Sequence, residues 1–153
     1  LDGSVVVIHP AMNDRGRTEP DDDAWARLCL DKTLLKHPEW QGWPAQDARL
    51  SALPVSRAFR DAWRSGPAGV SVDLPAARGI RLARVRAERD RRLAASDGEM
   101  LREQEQGAPR AAPLAAHRQA LRDLPSVAAT ALDAVVTPEG LDAYQPPWPV
   151  KPP

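Results

Sequence analysis

The chain has three histidines and one cysteine, types that can ligate zinc or serve a nucleophile site: His9, His37, His117 and Cys29. Zinc and nucleophile sites draw such residues from short, ligand-like spacings, and no two of these four have one. His9 and His37 each precede a proline and read as surface residues, and His117 reads as the margin of a helix pair. Cys29 sits on the apolar side of a predicted helix, where a free cysteine acts as a small hydrophobe. The run Asp21-Asp22-Asp23 has the oxygen ligands a hard cation takes, but it lacks the glycine and later glutamate of a calcium loop. A helix N-terminus already explains acids at that place. Catalysis needs clustered titratable groups, and the sequence shows none. The expectation is no catalytic residue, no metal and no cofactor.

The arginines offer a different chemistry. Arg78, Arg81, Arg84, Arg86, Arg89, Arg91 and Arg92 crowd one stretch and are the right residues to contact phosphates. A nucleic-acid reader places them on one face with base-reaching residues between. At about 100° per residue these seven spread around much of a helix, with Glu88 and Asp90 among them. Arg84 and Glu88 stand at i,i+4 and are expected to pair at the surface. The charges also cancel, 21 basic against 21 acidic, which removes the net-charge argument for a nucleic acid. A solvated or partner-facing helix is the better reading, and a small nucleic-acid-binding regulator is the alternative. The segment LPVSRAFRDAW poses the same choice. Its Phe59 and Trp63, spaced i,i+4, are expected to share one side of a short helix and to act as a packing anchor, because burial is what large aromatics usually do.

The elements that must carry these residues are set by punctuation and periodicity. Hydrophobic residues make up 42% of the 153, but aromatics only 5%, so the core is expected to be thin and to lean on partners. Sixteen prolines and 9 glycines segment the chain. Ser4 to Ile8 reads as a strand stopped by Pro10, after an Asp2-Gly3 turn signal. Its edge is open to a partner, which makes Val5, Val6, Val7 and Ile8 candidate partner-binding residues. Asp21 to Leu35 reads as a helix with Trp25, Leu28, Cys29 and Leu35 on one side, ended by His37-Pro38. Residues 47–53 and Val70 to Leu74 read as two more short strands, on either side of a short helix over Pro54 to Arg64 with Ser56 as its N-cap.

From Ala76 to about Gln106 a single long helix is expected, with a shallow seam of Ala76, Ile80, Ala83, Ala87, Ala94 and Leu101. Ile80, Arg84, Ala87 and Leu101 are candidate partner contacts there, including self-association through the helix. A second helix should turn Leu114, Leu121 and Leu124 inward, making an αα-hairpin. Thr137 and Pro138 should start a small capped helix, and the proline-rich end, with Trp148 available to a partner, should be extended and without a fold of its own. The fold class is α+β: a small few-stranded β region with short helices over 1–75, a long-helix αα-hairpin over 76–124, and a short helix with an extended Pro-rich tail over 125–153. No apolar run approaches the ~20 residues that span a bilayer, and the single cysteine excludes an internal disulfide.

The order of the segments resembles a group of small phage and prophage tail-cluster proteins. The resemblance runs through Ile8 to Ala11, Leu53 to Trp63, Val70 to Arg78, Arg86 to Asp97, Arg118 to Asp123 and Thr137 to Leu141, nearly the whole chain. The helical part is similar to phage tail assembly chaperone-type proteins. After Asp97, GEMLREQEQG stands where those proteins often carry a Trp-rich segment, while Pro147-Trp148-Pro149 matches their short WP-containing end. The resemblance implies a non-enzymatic tail-associated protein working by protein–protein contact, with other phage tail proteins as partners. It implies residence in the virion, at the tail tip or fibre attachment, and in the host cytoplasm during assembly. The departure after Asp97 and the proline tail favour a lasting virion component, with a transient tail-fibre assembly chaperone as the alternative.

Overall fold

The computed structural model describes residues 5–10, 13, 16–45, 53–107, 109 and 111–153. The chain divides into two compact units, whose described parts fall within residues 5–52 and 53–153. The expected divisions near 75 and 124 do not coincide with these units.

In the first unit the principal element is α1, Asp22–Lys36. The Asp21 carboxylate accepts the Ala24 N–H at 2.8 Å, satisfying one of the orphan donors of the first turn. The His37 N–H closes the other end on the Thr33 carbonyl at 3.0 Å, and Pro38 opens a one-turn 3-10 helix through Trp40. Trp25 is buried, Leu28 and Cys29 are half-buried, and Leu35 is 78% exposed. That corrects the expected apolar side, since Leu35 lies about 80° around the helix from Trp25. Val5 to Ile8 lie in neither helix nor strand, so the expected strand is also corrected. β-Branched residues suit a pleated surface, but a strand needs a ladder partner, and among the described residues Val5 to Ile8 have none. The Asp2-Gly3 turn and residues 47–52 of the second expected strand lie outside the described residues.

The second unit opens without regular secondary structure over residues 53–59. The short helix expected over Pro54 to Arg64 is a 3-10 turn, Arg60–Ala62, running straight into β1, Trp63–Gly66. The Ser56 hydroxyl accepts the Ala58 N–H two residues on at 3.2 Å, a local bond that competes with helix formation. β1 pairs antiparallel with β2, Gly69–Val72, setting Trp63 opposite Val72 and Arg64 opposite Ser71. Pro67 and Ala68 make the turn, and Gly69 closes it at φ 106°, where a side chain would be strained.

Asp73 leaves β2 and caps α2, Leu74–Ala95, accepting the Ala76 N–H at 3.2 Å. The helix expected to run unbroken to Gln106 stops at Ala95, and α3, Asp97–Glu105, restarts it. The break is chemical. The Ser96 hydroxyl bonds the Leu93 carbonyl at 2.8 Å, offering the backbone an alternative to the helical ladder. α4, Ala111–Asp133, returns against α2 with Leu114, Leu121, Leu124, Ala128 and Leu132 buried. Ala77 packs near Leu132 and Val85 near Leu124 and Ala128, so the two helices run antiparallel. Pro125 lies buried inside α4. It has no N–H to give the Leu121 carbonyl, so one rung of the helix is missing.

α5, Pro138–Ala143, is capped by Thr137, whose hydroxyl accepts the Gly140 N–H at 3.1 Å. A Cβ at Gly140 would stand 2.8 Å from Val135 Cγ1, so the close approach of this turn requires glycine. Among the described residues the architecture is mixed α+β, with long helices and one two-stranded antiparallel sheet. Phe59, Ala62, Ala77, Leu132 and Leu141 form one core cluster and Val85, Leu124 and Ala128 another, with Leu82 and Tyr144 packed against both.

Candidate functional site

The helix pair α2–α4 and the C-terminal chain beyond it form the most elaborated surface of the second unit. Along α2, arginines at i, i+3 and i+6 reach backbone carbonyls elsewhere in that unit. Arg78 donates to the Val135 carbonyl at 2.7 Å, Arg81 to the Tyr144 carbonyl and Arg84 to the Ala58 carbonyl. Arg84 also lies 5.3 Å from the Phe59 ring centroid, a cation–π distance. These bonds tie α2 to the start of the unit, to the α4–α5 connection and to the beginning of the tail. Arg118 does the same from α4, donating to the Leu93 carbonyl at 2.9 Å, to the Ser96 hydroxyl and to Asp97 at 2.6 Å. It thereby holds the α2–α3 break.

The remaining charges on α2 pair with one another. Glu88 accepts from Arg91 at 2.7 and 2.8 Å and from Arg92 at 2.7 Å. Hydrogen bonds from Arg91 and then Arg92 lower the Glu88 carboxyl from its ordinary value to about 2, and the same contact raises Arg91. The expected Arg84–Glu88 pair is therefore replaced, because Arg84 is turned toward Ala58 and Glu88 is taken by the two arginines beyond it. Arg89 pairs with Asp90 at 2.7 Å. Of the seven arginines, Arg86 alone has no such partner among the described residues.

The C-terminal tail, residues 144–153, has no regular secondary structure, yet it lies on the helices. Tyr144 and Trp148 pack on the Val85–Leu124–Ala128 cluster. The Arg92 guanidinium stands 4.1 Å from the Trp148 ring centroid, and Lys151 Nζ pairs with Glu99 at 2.5 Å. A hollow of about 220 Å³ is lined by Arg92, Ala95, Ser96, His117, Pro149 and Lys151. A second, of about 270 Å³, opens between α2 and α4 at Pro75, Arg78, Gly79, Leu82, Ala129, Leu132 and Asp133. The Tyr144 hydroxyl and His117 Nδ1 are buried without a hydrogen-bond partner among the described residues.

The structure distributes the sequence-predicted residues unevenly. Phe59 and Trp63 are both buried, at 0% and 1% exposure, one before a 3-10 turn and the other opening a strand rather than together on a helix. Ile80 packs against the unit's own core, Arg84 is exposed while it bonds the Ala58 carbonyl, and Trp148 is half-buried against the Val85 cluster and Arg92. Ala87 and Leu101 are exposed, as is Val6, while Val5, Val7 and Ile8 are half-buried. The expected α2 seam packs only at its start: Ala76 and Ile80 lie against the core cluster, while Ala83, Ala87 and Ala94 face solvent and Ala77 and Val85 are buried instead. Among the described residues no three His, Cys, Asp or Glu side chains gather to hold a metal, and no helix is long and apolar enough to cross a membrane. His9 is exposed, and His37 stacks on Trp40 with ring centroids 4.0 Å apart and pairs with Glu39 at 3.1 Å. Sequence reasoning missed Arg78, Arg81, Arg92 and Arg118 as structural links. The available signal, for Arg78 and Arg81, was the i+3 spacing of the arginines on α2.

Residues 82–153 match the family described as phage tail assembly chaperone protein. The match covers most of α2, all of α3 to α5 and the tail, and it supports a phage-tail-related protein. No curated protein matches the chain, and no solved structure does.

Proposed function

We propose that this chain is a non-enzymatic phage tail assembly factor that holds another tail protein by surface contact and leaves before the particle is complete. The observation that carries this reading is the extent of the family match, residues 82–153. It takes in nearly all of the helix pair together with the tail that packs on it. The seated tail also removes one reason for preferring a lasting virion component, since Trp148 and Lys151 are engaged within the chain. The arginines of α2 support contact with protein rather than nucleic acid. Six of the seven are spent on carbonyls or carboxylates, whereas phosphate binding needs free cations on one face.

Mass spectrometry of infected-cell lysates and of purified particles tests the proposal. The chain is expected in the lysate and absent from the particle, and its deletion is expected to yield particles with defective tails. A stoichiometric amount in purified particles would replace the reading with that of a tail-tip or fibre-attachment component.

A further inference from the structure

We propose that residues 145–153 are a releasable strap, and that the apolar seat on α2 and α4 beneath them is a binding site for an extended, proline-flanked tryptophan segment of a partner. Independently of the phage reading, the seat itself shows what it accepts. Val85, Leu124 and Ala128, with Leu82 beside them, form an apolar floor. Arg92 lies over the indole at 4.1 Å, Arg81 donates to the carbonyl at the strap's root, and Glu99 takes a cation three residues beyond the tryptophan. A partner segment carrying a tryptophan between prolines and a basic residue three positions on meets each of these groups.

Several observations make the strap releasable. Pro146, Pro147, Pro149, Pro152 and Pro153 have no N–H to give, so the tail has little capacity for backbone bonding. Among the contacts that hold it to the helices are Trp148 on the apolar floor beneath Arg92, one carbonyl at its root and an ion pair whose lysine is 56% exposed. The fit is also incomplete. The hollow of about 220 Å³ runs beside Pro149 and Lys151, and it is also lined by His117, whose Nδ1 is buried without a partner among the described residues, an unsatisfied group that carries a free-energy cost. Val150, between two seated residues, is 91% exposed. A proline-rich segment loses little freedom on docking, which suits repeated seating and release.

The strap competes from within the chain, where linkage sets an effective concentration in the millimolar range. A partner segment therefore binds measurably only when the strap is loosened. The test uses the full chain and a fluorescently labelled peptide of sequence QPPWPVKPP. Anisotropy is expected to show the Trp148→Ala chain binding this probe at least ten-fold tighter than the unaltered chain. The Lys151→Glu chain, which keeps the tryptophan, should lie between them, and a probe with alanine for tryptophan should bind none of the three. If circular dichroism shows Trp148→Ala to be unfolded, the Lys151→Glu comparison stands in its place. Equal affinity for all chains, or no binding to a folded Trp148→Ala chain, would overturn the proposal.

Discussion

Within residues 53–153 every α-helix packs on another, α4 and α5 on α2 and α3 on α4, and three capped or linked junctions hold their ends. Among the described residues of 5–52, α1 has a single buried side chain, Trp25. The capping chemistry is the same in both. An aspartate starts α1 and another starts α2. The two helices differ in the residues beyond the cap. α2 is joined to distant parts of its unit by arginines reaching carbonyls, and small apolar residues let α4 come close. Good local signals make a helix in either region, but among the described residues long-range links between named groups gather core clusters within 53–153.

The sharpest way to break this contrast is at the aromatics. Trp63→Ala is expected to cost about 3–5 kcal/mol, the range for emptying a packed aromatic site, whereas Leu35→Ala at an exposed position should stay within about 0.5 kcal/mol. Urea unfolding monitored by circular dichroism checks both, and equal effects would erase the distinction. Next comes Arg118→Met, which removes the donor to Leu93, Ser96 and Asp97. About 1.5–3 kcal/mol is expected, as for hydrogen bonds to charged groups, with amide exchange quickening around Ser96; exchange unchanged there would remove Arg118 as the brace of the break. The caps should behave alike: Asp21→Ala and Asp73→Ala are each expected to cost about 1 kcal/mol. A cost confined to Asp73 would mean that α1 draws nothing from its cap.

The smallest effect concerns pH. Glu88 titrates well below its ordinary 4.5, at about 2. A depressed carboxyl stabilises the fold above its unfolded value, and that contribution fades as pH falls from about 4.5 toward 2. Glu88→Gln should flatten the acid side of the stability curve over that window in thermal melts, and an unchanged slope would count against the Arg91–Glu88–Arg92 link.

What the sequence made legible was chemistry that acts over a few residues. Thr137-Pro138 predicted α5 with its cap, Asp21 marked the start of α1, and the 3-4 spacing of Leu114, Leu121 and Leu124 marked the inner face of α4. Partnership across distance was not legible. Phe59 and Trp63 stand four apart, and that spacing suits one helix face; pairing of Trp63 with Val72 decided for a strand. The alanine seam of α2 was the most regular pattern in that stretch, yet burial tracks the larger Val85 and Leu82 and the neighbours they meet. The tail gave no periodic signal at all. Its seating depends on Arg92, far back along the chain on α2.

The proline within α4 divides that helix in a way its unbroken outline hides. Pro125 leaves the Leu121 carbonyl without its rung, so the backbone ladder is weakest between Leu121 and Pro125. On one side lies Arg118, which holds the α2–α3 break; on the other lie Ala128 and Leu132, which serve the core clusters. The helix pair thus has a built-in seam across its length. Loosening at the α3 end need not travel as far as the β-hairpin.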